Sequence, residues 1–177
     1  TVVGGTITAG GTFSNTITVT WNAVGAQTVS VNYTNVNGCT AASPTIFNVT
    51  VNALPVPTIA GPSPVCVNST GNVYTTEAGM TNYLWNVSGG TITAGGTATD
   101  NTATVTWNTV GTQTISVNYT NANNCTAASA TVSNVTVNPL PVPTITGNAA
   151  ACQNSTMNVY STEAGMTNYL WTVSAGG

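Results

Sequence analysis

Three carboxylates and four thiols are the residues of this 177-residue chain best suited to acid–base, metal or redox chemistry. There is no Lys, Arg or His; the acids are Glu77, Asp100 and Glu163, and the thiols are Cys39, Cys66, Cys125 and Cys152. General acid–base catalysis draws on His, a tuned Lys or paired carboxylates. Glu77 and Glu163 stand in the same motif, Val-Tyr-x-Thr-Glu-Ala-Gly-Met-Thr-Asn-Tyr-Leu-Trp, 86 positions apart. They are therefore one position of two successive repeats, too far apart to act as a pair. Asp100 has no counterpart near Phe13-Ser14, where the matching segment is one residue shorter. No catalytic residue is expected, and no enzyme.

Metal and cofactor chemistry fares no better. Structural zinc sites use clustered Cys and His, and no Cys-x-x-Cys pair occurs. Calcium sites collect several carboxylates, and three in the whole chain leave at best a weak ion held by carbonyls and Asn. The glycine-rich segments 4–11 and 89–96 lack the Lys and the G-x-G-x-x-G spacing of phosphate loops, and read as hairpin turns. The expectation is no metal and no cofactor.

The thiols read instead as disulfide partners in an oxidising, extracytoplasmic setting. Two pairings are open. Cys66 with Cys125 closes a long loop inside one repeat, which loop entropy values at ~4 kcal/mol. Cys39 would then pair outside the chain or in a neighbouring subunit, as would Cys152. The rival scheme joins Cys39 to Cys66 and Cys125 to Cys152, stapling neighbouring repeats. The bond within the repeat is the expected one, because a sandwich of this size gains most from it.

The elements that position these groups follow from the period. Leu54-Pro55-Val56-Pro57-Thr58-Ile59 returns as Leu140-Pro141-Val142-Pro143-Thr144-Ile145, and Val31-Asn32-Tyr33-Thr34-Asn35 returns as Val117-Asn118-Tyr119-Thr120-Asn121. A fixed period of 86 residues means a tandem array of one small domain. Residues 53–138 form one complete repeat, 1–52 the C-terminal part of the preceding one and 139–177 the N-terminal part of the next. Half a sandwich leaves strand edges and half a core open. Either the repeats run on in a longer polypeptide, which is the expectation, or separate subunits complete each other by exchanging strands.

Within the complete repeat, short β runs are expected at 56–60, 72–76, 82–87, 91–93, 102–107, 114–119 and 131–137, with turns between them. Tyr83, Trp85 and Val87 alternate onto one face, as do Val105 with Trp107 and Ile115 with Val117 and Tyr119. These eight residues are the predicted core. About seven strands at this spacing predict an all-β fold of tandem immunoglobulin-like antiparallel sandwiches, arranged as an extended filament.

Cys66, Asn-Tyr-Leu-Trp at 82–85, Ser-Gly-Gly at 88–90, and Val-Gly-Thr-Gln-Thr-Ile-Ser-Val-Asn-Tyr-Thr-Asn at 110–121 ahead of Cys125 resemble the PKD-like repeats of Bacteroidetes surface proteins. The resemblance covers the whole chain. It implies a seven-stranded sandwich, export to the cell surface, and occurrence in giant adhesins, including those of gliding motility. The acidic Gly-Asp-Gly turn of ordinary PKD domains is missing, since Thr91 follows Gly89-Gly90.

Composition narrows the partners. Without Lys or Arg there is nothing to hold nucleic-acid phosphates or an anionic membrane surface. Apolar residues make up 41% of the chain, enough for a folded β protein despite the low charge, but no run is long enough to insert into a membrane. Leu54, Pro55 and Pro57, repeated as Leu140, Pro141 and Pro143 after Pro139, mark stiff extended joints between repeats. Each repeat should advance the chain roughly 30–40 Å. The expected function is a non-catalytic, semi-rigid extracellular stalk of a large cell-surface adhesin, with neighbouring repeats as partners and the surface ligand unspecified. Two alternatives remain: a filament subunit that polymerises by strand complementation, and a carbohydrate- or ice-binding repeat. The second alternative needs an exposed aromatic row or a flat Thr array.

Overall fold

Alternation of Thr with Ala, Val and Trp decides the central strand of the complete repeat. Along Thr102–Trp107 the side chains of Ala103, Val105 and Trp107 are fully buried, and Thr102, Thr104 and Thr106 between them face outward. A β-strand puts successive side chains on opposite faces, so this one sequence pattern makes one wall of a core and one half-wet surface.

The structure, a computed structural model, describes residues 1–174. All regular structure among the described residues is β. The strands are β1 (Val2–Val3), β2 (Gly5–Gly10), β3 (Ile17–Trp21), β4 (Gly25–Val31), β5 (Thr45–Val51), β6 (Val65–Cys66), β7 (Asn72–Thr75), β8 (Thr81–Ser88), β9 (Gly90–Gly95), β10 (Thr102–Trp107), β11 (Gly111–Thr120), β12 (Thr131–Asn138), β13 (Thr146–Gly147) and β14 (Tyr160–Ser161). The chain divides into a first compact unit, Thr1–Asn138, and a second that begins at Pro139.

Strands β6 to β12 build the sandwich of the complete repeat. One sheet has the order β7-β10-β9 and the other β6-β12-β11-β8. All ladders are antiparallel except one: β6 runs parallel to β12, with Val65 opposite Val137 and Cys66 opposite Asn138. Between the sheets lie Tyr74, Tyr83, Trp85, Val105, Trp107, Ile115, Val117, Tyr119, Val135 and Val137, with Val87 partly buried against them. The polar handles of the rings are all used. Trp107 Nε1 donates to Tyr74 Oη at 3.0 Å, Tyr74 Oη donates to the Pro62 carbonyl at 2.8 Å, and Trp85 Nε1 donates to the Asp100 carbonyl at 2.9 Å. Buried Tyr and Trp need such partners, because an unpaired buried donor is costly.

Two expectations need correction. The run 56–60 is not a strand; only Ala60 bridges, to Thr75. Prolines 55, 57, 62 and 64 deny this stretch a continuous ladder, and the first strand forms beyond them at Val65–Cys66. The Gly89-Gly90 pair is not a hairpin turn. It is the corner at which the chain leaves the sheet of β8 and enters that of β9. Gly89 has φ +79°, a conformation that favours glycine, and a Cβ there would run into the Gln113 side chain. The second pair, Gly95-Gly96, does sit in the β9–β10 hairpin.

In residues 1–52, β4 pairs β1 and β5, and β2 pairs β3, in the registers that β11, β8, β12, β9 and β10 use in the complete repeat. The second unit has one short ladder, with Thr146 opposite Ser161 and Gly147 opposite Tyr160.

Candidate functional site: a carboxylate clamp on the repeat joint

The segment that leads into the complete repeat is fastened by one acid. Glu77 lies in the loop between β7 and β8, and its carboxylate collects four donors. The Thr58 amide donates at 3.1 Å, the Thr58 hydroxyl at 2.5 Å, the Thr76 hydroxyl at 2.7 Å and the Tyr119 hydroxyl at 3.0 Å. The backbone carbonyl of Glu77 accepts the Tyr83 hydroxyl at 2.7 Å, and Tyr83 Oη in turn accepts the Met80 amide. Tyr83 and Tyr119 meet edge to face, with ring centres 5.8 Å apart. From β12, the Thr131 hydroxyl donates to the Pro57 carbonyl at 2.6 Å. Thr58 is thus held by the β7–β8 loop and Pro57 by β12.

Electrostatics follow from this set of donors. Burial pushes the Glu77 carboxyl up, but the Thr58 and Thr76 hydroxyls and the Thr58 amide outweigh it and hold the pKa down at about 2. Tyr119 moves the other way, to about 12, through burial first and then its bond to Glu77 and the charge beside it. The pair is therefore carboxylate and neutral phenol across the ordinary pH range.

The same clamp recurs one period on. The Glu163 carboxylate accepts the Thr144 amide at 3.0 Å and the hydroxyls of Thr144 and Thr162, and Tyr169 Oη donates to the Glu163 carbonyl. Those hydroxyls, Thr144 first, hold its pKa at about 2. What this second copy lacks is a donor in the place of Tyr119.

The joint residues themselves stay largely on the surface. Pro57 is buried, Pro55 half-buried, and Leu54 and Val56 are exposed. Together with Ala128, Ser129 and Thr131 they line a cleft of about 190 Å³. Pro139, Leu140, Pro141 and Pro143 are exposed. The sequence marked the joint by its prolines and missed its anchor. The signal was present: Glu77 and Glu163 are the acids that recur with the period, each 19 residues after the Thr of Leu-Pro-Val-Pro-Thr.

The thiols are placed differently from the expectation. Cys39, Cys66, Cys125 and Cys152 are free. Cys66 lies beside Asn138 at the end of β12, and Cys125 lies in the β11–β12 turn before Thr131, its amide held by Asn121 Oδ1. The register from Thr131 to Val137 alone separates the two by about 20 Å. A disulfide needs Cα atoms within about 7 Å, so the Cys66–Cys125 bond cannot form inside this repeat.

The five rings of the complete repeat lie inside it: Trp107 is 0% exposed, Tyr74 1%, Tyr119 3%, Tyr83 4% and Trp85 7%. They offer no aromatic row to a sugar. Among the described residues no group of three or more Cys, Asp or Glu side chains is arranged for a metal ion.

A 3 + 4 β-sandwich whose leading segment is tied to its own carboxylate, with its sequence motifs recurring on either side, defines a tandem β-sandwich module. The chain belongs to the PKD-like domain family, whose profile matches residues 52–135 and again 138–177. No curated protein matches it by sequence. Among solved structures, domains 4 and 5 of the S-layer protein SbsC are similar at 20% identity with a TM-score of 0.31, over 69% of this chain and 62% of that one.

Proposed function

We propose that the chain is a non-catalytic repeat region that forms a semi-rigid stalk of a large cell-surface adhesin. The observation that carries this reading is the clamp: Glu77 holds Thr58, and Glu163 holds Thr144 with the same donors. A joint tied down at its last residue leaves only the few Pro-flanked residues before it free to bend, which makes a rod stiffer than beads on a loose linker. Two of the three carboxylates, Glu77 and Glu163, are engaged by these joints. Extracellular exposure fits a chain without Lys or Arg, which offers no trypsin site.

Antibodies raised against residues 53–138 test the location, since they should label intact cells without permeabilisation. The native polypeptide they detect, reduced and denatured, should run far above 17.8 kDa. Labelling only after the cells are opened would overturn the reading.

A further inference from the structure

The repeats diverge in the turn ahead of their last strand. Residues 36–39 read Val-Asn-Gly-Cys between β4 and β5, where the complete repeat has Ala-Asn-Asn-Cys at 122–125 between β11 and β12. Asn37-Gly38 is the one Asn-Gly step in the sequence. The two turns are otherwise built alike. Asn35 Oδ1 accepts the Asn37 amide at 2.9 Å and the Cys39 amide at 3.0 Å. Asn121 Oδ1 accepts the Asn123 and Cys125 amides at 3.0 and 3.1 Å. The Asn35 amide donates to the Cys39 carbonyl at 2.9 Å and the Gly38 amide to the Asn35 carbonyl at 3.0 Å, again as in the complete repeat.

Gly38 has φ +80° and its counterpart Asn124 has φ +58°. The turn therefore asks for a left-handed residue, a demand that Asn meets as well as Gly. Asn37 and Gly38 are exposed, and so are Asn123 and Asn124, so the exposure belongs to the turn itself. What glycine changes is the chemistry. It lacks the Cβ that obstructs a close approach to its backbone, and the space around Gly38 is open, with no atom within 4 Å of where a Cβ would stand.

We propose that Asn37-Gly38 is a self-modification site, at which the chain converts its own carboxamide to a carboxylate with water as the only co-reactant. The Gly38 nitrogen bonds to Asn37 Cγ, the Cγ–Nδ2 bond breaks, and ammonia leaves with the proton given up by the Gly38 amide. A cyclic imide results. Water opens it at either carbonyl, leaving an aspartyl or an isoaspartyl link. The attacking nitrogen is the one whose hydrogen is donated to Asn35, so the closed turn slows the reaction and its opening releases it. An isoaspartyl link lengthens the main chain between Asn35 and Cys39 and no longer fits the cage around Asn35 Oδ1. The change is irreversible and adds a negative charge to a chain whose net charge is only −3. Repeats with Gly at this position accumulate it with age, and repeats with Asn keep the turn.

Incubation of the 177-residue chain in mildly alkaline buffer, followed by isoelectric focusing and peptide mapping, tests the proposal. A new negative charge should appear and map to position 37, and a methyltransferase specific for isoaspartyl links should label the product. Asn68 and Asn154, each followed by Ser, should convert later. Gly38→Asn, which copies the complete repeat, should lose the conversion. Asn35→Ala, which removes the acceptor at the centre of the cage, should speed it. An unchanged thermal transition shows that each variant is folded. Conversion at Asn68 ahead of Asn37, undiminished conversion in Gly38→Asn, or no acceleration in Asn35→Ala overturns the proposal. None of these outcomes bears on the surface labelling of cells.

Discussion

Tyr119 Oη donates to the Glu77 carboxylate at 3.0 Å across 42 residues of sequence, and this bond joins the β11 end of the sandwich to the loop that holds Thr58. One proton sits between two groups whose pKa values are driven apart to about 2 and about 12. Each is the other's partner, so substitutions at either should act on the same joint.

Glu77→Gln keeps the shape and removes the charge. Hydrogen bonds to a charged group contribute about 1.5–3 kcal/mol, discounted here because Glu77 is partly exposed. The expected loss is about 1–2 kcal/mol in urea unfolding at pH 7, with Tyr119→Phe giving a smaller loss. The double variant should lose less than the sum of the two, since they share one bond.

The pH profile has a worked sign. Glu77 is depressed in the folded state, so its stabilisation is present above the unfolded value near 4.3 and is lost as pH falls toward about 2. Tyr119 is raised, so its contribution is present below about pH 10 and is lost as pH climbs toward 12. Unfolding midpoints should stay flat from pH 5 to 9 and fall at both ends. In Glu77→Gln the acid-side fall should shrink. An unchanged acid limb in that variant would refute the assignment.

Removing the thiols should cost little. Cys66→Ser and Cys125→Ser are each expected within about 0.5 kcal/mol of the parent, the range of surface substitutions. A reductant should leave the unfolding midpoint of residues 53–138 unchanged. A drop approaching 4 kcal/mol would restore the disulfide that the register excludes.

Trp107→Ala should be the most damaging change in the core, at about 3–5 kcal/mol, because the ring is fully buried and its loss also strips a donor from Tyr74 Oη. Gly89→Ala should cost about 1–3 kcal/mol through its positive φ and the clash with Gln113. Thermal denaturation monitored by near-UV signal ranks the two.

The strands were legible wherever side chains alternate. β7, β8 and β10 to β12 fall within a few residues of the runs expected from period-two patterning, and the buried set centres on the expected rings. The first strand was not legible, because β6 is two residues long and parallel to β12, and its partner lies some 70 positions away. The thiols misled for a related reason. Their spacing shows that both recur with the period, but only the β12 register shows that they end at opposite ends of the sandwich. Glu77 was read as an isolated acid because its donors Thr58 and Tyr119 are distant in sequence and ordinary in type.

The parallel run beside β12 has a mechanical meaning. Tension along the chain reaches residues 53–138 ahead of Pro57 and leaves after Asn138. Between those points the stretch 57–67 follows β12 in the same direction. Thr131 bonds to Pro57, the Thr136 amide to the Ser63 hydroxyl, Val65–Cys66 pair with Val137–Asn138, and the Val67 amide bonds to the Asn138 carbonyl. Pulling the two ends apart slides these strands along each other in shear, so the bonds are strained together instead of being peeled off one by one. The first and last segments of the repeat thus form a lap joint, and the rest of the sandwich is shielded until that joint slips.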